Sequence, residues 1–215
     1  MDISWLGHAC IRIRAQQTYV IMDPCDKESG YDMGRPVADL VTVSNPDPHH
    51  SNLKGVRGEP LAIDGPGEYE VKGVQIAGVA TFLRPPEADT PAARNTVFVV
   101  EAEELHLVHL GKIGAPLTTE QTRELTGVDI LIVPLTSSEA FDVTEAARTV
   151  RVLEPSVVIP IHYPTKGADE DTDGLLKQFI SGVGVEPEEA QTRVTVAKRG
   201  LPETLQMLLL EPRGS

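Results

Sequence analysis

The chain has 215 residues, and its 19 Lys and Arg against 32 Asp and Glu give a formal net charge of −13. An acidic surface repels phosphate backbones, which excludes general nucleic-acid binding through a basic face. Hydrophobic residues at 40% and charged residues at 24% are typical of a globular protein and exclude disordered, collagen-like and coiled-coil chains. We expect one domain over residues 1–215, because a chain of this length can build a sizeable core.

The start of the sequence and its cysteines predict where the protein resides. Neither a basic segment nor an apolar one follows Met1, so no secretory signal is expected. No apolar run approaches the ~20 residues that span a bilayer. Cys10 and Cys25 are too few for a disulfide framework. We therefore expect a cytoplasmic protein with free thiols and no membrane partner.

The first half of the sequence predicts mainly β-strands. Short β-rich runs alternate with Gly, Pro and Asp turn residues, as is typical of strands. A long polar loop is expected between Leu83 and Arg94. The predicted strands are Ile3–Gly7, Cys10–Arg14, Thr18–Met22, Leu40–Ser44, Leu61–Asp64, Glu70–Lys72, Val74–Val79, Thr96–Glu101 and Leu105–His109.

From Thr118 onward the pattern changes to alternating helices and strands. Thr118 or Thr119 is the expected N-cap of the first helix. A series of strands followed by alternating helices and strands predicts an α/β or α+β fold with mixed sheets. The predicted helices are Thr119–Leu125, Val143–Leu153 and Asp173–Ile180, and the predicted strands are Ile130–Pro134, Val157–Ile161, Val194–Ala197 and Leu205–Leu210.

The residues best suited to chemistry are histidines that follow predicted strands. His8, His49, His50 and His162 stand at strand ends or in the loops beyond them, where functional residues gather. Neutral imidazole in such a loop suits a zinc ion. The other two histidines of the chain, at positions 106 and 109, lie within an apolar strand and are expected to be structural.

Motifs spread over nearly the whole chain carry a family resemblance. They are Trp5–Cys10 (WLGHAC), Met22–Pro24 (MDP), Ala38–Ser44 (ADLVTVS), Gly65–Glu70 (GPGEYE), Arg94–Thr96 (RNT), His109–Gly111 (HLG) and Val157–Tyr163 (VVIPIHY). Together they resemble the metallo-β-lactamase superfamily, within it the zinc-dependent hydrolases similar to L-ascorbate-6-phosphate lactonase. The resemblance implies a four-layer αββα sandwich with the site at one edge of the two sheets.

The family's metal-binding loop is only partly retained. The resemblance places its His-x-His-x-Asp-His pattern directly after Ser44. Its ligand positions then hold Asn45, Asp47, His49 and His50, and only the last of these matches the family. An amide cannot replace an imidazole as a zinc ligand.

The later ligand positions also diverge. The resemblance places the family's next histidine at Leu83 and its bridging aspartate at Lys112, and only the last histidine is kept, as His162. An ammonium ~4 Å from a divalent ion would be repelled by roughly 8 kcal/mol at an effective dielectric of ~20. Lys112 could instead replace the charge of a metal ion, pairing with Asp47 and Asp23, or it could turn outward.

These substitutions favour a protein that has lost the binuclear zinc centre and its hydrolase activity, and that keeps a binding or scaffold role without a cofactor. The first alternative is a mononuclear hydrolase with one zinc or iron ion on His49, His50 and His162. The second is a metal-independent enzyme that uses Lys112 and Asp47 as acid, base or anion-binding groups.

Further expectations concern residues near this site. The resemblance implies that His8 supports the metal shell through a hydrogen bond. Cys25 follows Asp23 and Pro24 and could join a rearranged metal site, whereas Cys10 is expected to be structural. The sequence identifies no small-molecule or protein partner, although exposed edge strands could pair in a homodimer.

Overall fold

The computed structural model describes residues 1–84, 93–135, 140–163 and 173–213, with two β-sheets and three α-helices in this part of the chain. The helices are α1 (Thr119–Glu124), α2 (Val143–Leu153) and α3 (Asp173–Val183). The strands are β1 (Asp2–Gly7), β2 (Cys10–Ala15), β3 (Thr18–Met22), β4 (Leu40–Thr42), β5 (Leu61–Ile63), β6 (Gly67–Val71), β7 (Val74–Phe82), β8 (Arg94–Ala102), β9 (Leu105–His109), β10 (Ile130–Pro134), β11 (Val157–Ile161), β12 (Val194–Thr195) and β13 (Gln206–Met207).

The sheet topology brings the carboxyl ends of several strands together. The first sheet has the order β12-β1-β2-β3-β4-β5, and the second has the order β13-β11-β10-β9-β8-β7-β6. In the first sheet β1, β3 and β4 run in one direction, and in the second β9, β10 and β11 do so. The backbone N–H of Thr96 donates to the carbonyl oxygen of Ser44 at 2.8 Å and joins the two sheets near these ends.

One apolar core joins residues of both sheets and of the helices. Its largest fully buried side chains include Trp5, Phe98, Phe141 and Phe179, and the rest is mostly Val, Leu and Ile. Burial of each such side chain contributes about 2–3 kcal/mol. Aliphatic side chains thus compensate for the low aromatic content of 4%.

The helices make their main contacts with the second sheet and with each other. Helix α2 packs against β10 and α3, and α1 packs against β7. Thr118 caps α1 through a reciprocal pair of hydrogen bonds with Gln121, and Asp142 caps α2 by accepting from the N–H of Glu145 at 2.9 Å.

The outer face of the first sheet is covered in part by the segments that follow β3 and β4. The first contains a 3₁₀ turn at Lys27–Ser29, and the second contains one at Leu53–Gly55. Met33 of the first and Val56 of the second form a second apolar cluster with side chains of the sheet such as Leu6 and Cys10.

The predicted mixed α/β fold agrees with this architecture. The last two strands, β12 and β13, are shorter than predicted, with two residues each, and α3 continues to Val183. Most of the predicted polar loop between Leu83 and Arg94 lies outside the described residues. No helix in the described part of the chain combines the length and the apolarity that crossing a membrane requires.

Candidate metal centre

The candidate site lies at the carboxyl ends of strands from both sheets. His8 follows β1, Asp23 follows β3, and His50 lies in the loop after β4. His162 follows β11 of the second sheet. Because these strand ends meet at one edge, four polar residues far apart in sequence converge.

Three of these residues form a compact group, the histidine cluster (His8, His50 and His162). One ligand atom from each lies within 4.8 Å of the others. The ring centroids of His8 and His162 are 4.2 Å apart, and those of His8 and His50 are 4.8 Å apart. His50 is fully buried, and the other two are partly exposed.

The cluster presents nitrogen atoms that no other described residue contacts through a hydrogen bond. Nδ1 of His8, Nε2 of His50 and Nε2 of His162 are buried and have no hydrogen-bond partner among the described residues. Burial, together with the neighbouring imidazoles, lowers the pKa of His8 to about 4 and holds the pKa of His162 well below its usual value. Buried polar atoms normally have partners, and three imidazoles with free nitrogens fit a divalent metal ion.

A buried carboxylate orients one ring of the cluster. Oδ2 of Asp23 lies 2.8 Å from Nδ1 of His50. Ser44 donates to the same carboxylate from its N–H at 2.7 Å and from its hydroxyl at 2.6 Å. Burial alone would raise the pKa of Asp23, but the hydrogen bond from His50 and the other donors lower it. An ionised Asp23 therefore keeps the proton on Nδ1 of His50 and leaves Nε2 free to bind a metal.

The backbone at the site is strained. His8, Asp23 and His162 have φ angles of 51°, 47° and 62°, in the left-handed region that few residues other than glycine adopt. Such strain gathers at functional sites, where the surrounding structure holds a side chain in one direction.

An ion pair lies beside the cluster. The ammonium of Lys112 contacts Oδ2 of Asp47. Burial would raise the pKa of Asp47, but the hydrogen bond from Lys112 and the N–H of His49 lower it to about 2. Asn95, which is fully buried, fixes the loop of Lys112 by accepting from its N–H at 2.9 Å.

Three predicted site residues have other partners. His49 lies next to the cluster, but its Nδ1 is 2.7 Å from Oδ1 of Asp26. Asn45 donates to the hydroxyl of Ser44 at 2.9 Å and accepts from the N–H of Asp47 at 3.0 Å. The backbone N–H of Leu83 donates to the carbonyl of Ala93 at 2.8 Å, and its apolar side chain has no ligand atom.

His109, Cys10 and the candidate Cys25 have structural contacts. His109 is buried, with Nε2 3.0 Å from the carbonyl oxygen of Ala9 and Nδ1 accepting from the N–H of Gly111 at 3.0 Å. Cys10 and Cys25 are buried free thiols in the second apolar cluster. The thiol of Cys25 contacts the carbonyl oxygen of Gly7 at 3.8 Å.

The fold and the site define a protein of the metallo-β-lactamase type. Residues 2–162 match the model of the β-lactamase superfamily domain, so the chain belongs to the metallo-β-lactamase superfamily. The sandwich fold predicted from the sequence motifs is thereby confirmed.

Individual relatives are named as metal-dependent enzymes. A structure from Thermotoga maritima, assigned to the Zn-dependent hydrolases of this superfamily, is 30% identical with a TM-score of 0.75 and covers 98% of this chain and 99% of its own. The UPF0173 metal-dependent hydrolase of Methanopyrus kandleri is 24% identical over 87% of this chain and 95% of its own length. An isothiocyanate hydrolase from Delia radicum gut bacteria shares the fold alone, with 13% identity, a TM-score of 0.66 and coverage of 92% of this chain and 99% of its own.

The expected loss of the metal centre and of activity is wrong. Similar chains are named metal-dependent hydrolases, and the site still presents three imidazoles. From the family's ligand positions, His8 was expected only to support the metal shell. In the described part of the chain, Nδ1 of His8 has no hydrogen-bond partner, and its ring lies beside those of His50 and His162.

Proposed function

We propose that this protein is a hydrolase that uses one metal ion, zinc or iron, held by His8, His50 and His162. The observation that carries the proposal is the set of three buried imidazole nitrogens at the strand ends, for which the described part of the chain offers no hydrogen-bond partner. Three imidazoles with an open fourth position are the ligand set of several catalytic zinc sites. When bound, the ion supplies Lewis acidity, which polarises a carbonyl group and makes water a stronger acid.

The protein's own residues prepare this site. Asp23 holds His50 in the tautomer that leaves Nε2 available. Lys112, whose side chain is 42% exposed, places a fixed positive charge beside the histidine cluster, and Asp47 keeps it there. That ammonium is suited to binding a negatively charged substrate group or a developing oxyanion.

We propose an ester or a lactone as the bond that is hydrolysed. This choice rests on the resemblance of the sequence motifs to those of L-ascorbate-6-phosphate lactonase.

Metal analysis of matched variants tests the ligand set. We expect about one zinc or iron ion per wild-type chain, its loss in His8→Asn and His162→Asn, and its retention in His49→Asn. Hydrolysis of p-nitrophenyl acetate and γ-butyrolactone should follow the metal content. Retention of metal in His8→Asn with loss in His49→Asn would instead support the ligand set derived from the sequence. Wild-type protein without metal or activity after supplementation would overturn the proposal.

A further inference from the structure

A second polar site lies on the outer face of the first sheet. A small pocket of about 130 Å³ opens there beside strands β1, β2 and β3. Side chains alternate between the two faces of a strand, so Arg12 and Arg14 of β2 both point to this outer face. Arg193, just before β12, and Arg213 complete the lining.

The charge of this pocket is opposite to that of the protein. Four guanidinium groups line it in a chain with a formal net charge of −13. Its one carboxylate, on Asp2, accepts from the hydroxyl of Thr195 at 2.7 Å and lies 3.9 Å from Arg14. Among the described residues, the side chains of Arg12, Arg193 and Arg213 have no carboxylate partner. One carboxylate against four guanidinium groups leaves a net positive charge in this pocket.

Arg12 is held in place for a ligand. Its guanidinium carbon lies over the Tyr19 ring, 4.6 Å from the ring centroid, and this cation–π contact favours that position of the group. Its Nε is buried and has no hydrogen-bond partner among the described residues. A buried donor without a partner is unfavourable, and an anion in the pocket would satisfy it.

From these observations we infer that the arginine pocket (Arg12, Arg14, Arg193 and Arg213) is a binding site for the phosphoryl groups of a small phosphorylated molecule. Guanidinium groups match the geometry of phosphate oxygens through paired N–H donors. Pockets for whole metabolites enclose about 300–1,000 Å³. The smaller volume here fits a phosphate or diphosphate group, with the rest of the ligand outside.

The arginine pocket is separate from the histidine cluster. Asp2 and Arg14 lie at the end of the first sheet opposite to His8, because β1 runs from Asp2 towards His8. Arg12 of this pocket pairs with Ser4, and four residues at about 3.3 Å each place roughly 13 Å along β1 between Ser4 and His8. Binding there therefore does not depend on the proposed metal ion.

Titration calorimetry with pyrophosphate at low ionic strength tests the inference. We expect saturable binding of one pyrophosphate per chain, which weakens with added salt. The double variant Arg193→Gln/Arg213→Gln, which changes only exposed side chains, should weaken binding at least ten-fold. Arg12→Gln should do the same, with chemical-shift changes at Arg12 and Tyr19 mapping the contact in the wild type.

Two controls make the result specific. Arg123→Gln removes an exposed arginine of α1 and should bind pyrophosphate as the wild type does. His162→Asn should also bind normally, which excludes a metal-bound phosphate. Orthophosphate and ATP as further probes distinguish a free inorganic ligand from a nucleotide, and either result supports the site. No binding of any of the three, or equal weakening by Arg123→Gln, would overturn the inference.

Discussion

Asp23 and His50 form a fully buried carboxylate–imidazole pair, with Oδ2 of the first 2.8 Å from Nδ1 of the second. Asp23 comes directly after β3, whereas His50 lies 27 residues later in the loop after β4. The parallel pairing of these strands brings the two residues together. The pair fixes the ring of His50, the fully buried residue of the histidine cluster.

Asp23→Asn should lower metal affinity about 10- to 100-fold, as is typical when a group that supports a metal ligand is changed. If the new amide donates to Nδ1 of His50, the ring proton moves to Nε2, which can then no longer bind a metal. If the amide turns round, its NH₂ group faces the N–H and hydroxyl donors of Ser44 and cannot accept their hydrogen bonds. Competition with a chromogenic chelator measures the affinity.

The matched control is Asp26→Asn. It alters a similar pair, in which Oδ1 of Asp26 lies 2.7 Å from Nδ1 of His49, outside the histidine cluster. We expect its metal affinity to stay within about three-fold of the wild type. An equal loss of affinity in both variants would show that Asp23 has no special role.

Acid should destabilise the metal-free protein between about pH 6.5 and pH 4. Burial and the neighbouring histidines lower the pKa of His8 to about 4, although Asp23 and Asp47 act in the opposite direction. The unfolded chain, with a histidine pKa near 6.5, therefore takes up a proton before the folded chain does, and stability falls as the pH falls. The titration of His8 alone should lower the free energy of unfolding by about 2 kcal/mol between pH 7 and pH 5.

Urea unfolding of chelator-treated protein at the two pH values checks this dependence. His8→Asn removes the titrating group, so its stability should fall by about 2 kcal/mol less over the same interval. The same pH dependence in wild type and variant would contradict the assignment to His8.

The sequence predicted most of the fold because its local signals are strong. Strands such as Ile130–Pro134 and Val157–Ile161 were predicted with the bounds that the structure has, since both are continuous apolar runs between turn residues. The short strands β12 and β13 depend on pairing with β1 and β11, and such long-range contacts leave little local signal. The cytoplasmic location, the single domain and the homodimer stay predictions.

The site was only partly predictable, for a physical reason. His50 and His162 were named as ligands from the motifs, but the choice between His8 and His49 depends on the direction of side chains. The left-handed backbone of His8 turns it into the cluster, whereas Asp26 holds His49. Ser44 and Asn95 lay within the recognised motifs, and their hydrogen bonds appear only when the sheets are assembled.

Lys112→Met should reduce hydrolysis at least ten-fold and leave the metal content unchanged. The ammonium contacts Asp47 and no member of the histidine cluster. Its removal therefore takes away a positive charge beside the cluster but none of the proposed metal ligands. A half-exposed ion pair contributes about 1 kcal/mol or less, so the variant should fold. Lys112→Arg keeps the charge and should recover part of the activity. Full activity in Lys112→Met, measured with p-nitrophenyl acetate, would exclude a role in the reaction.

Gly111→Ala should destabilise the protein by about 3 kcal/mol and also weaken metal binding. Gly111 has a φ of +64°, and a Cβ there would lie 2.4 Å from Cβ of Ser44 and 2.8 Å from Oδ1 of Asn95. The left-handed conformation costs about 1 kcal/mol for alanine, and overpacking adds about 1–3 kcal/mol. Displacement of Ser44 would disturb its hydrogen bonds to Asp23, which supports His50.

Gly127→Ala is the control, because its φ is +82° but nothing lies within 4 Å of the new Cβ. We expect it to cost about 1 kcal/mol in urea unfolding and to leave metal affinity unchanged, and equal effects of the two substitutions would refute the packing argument.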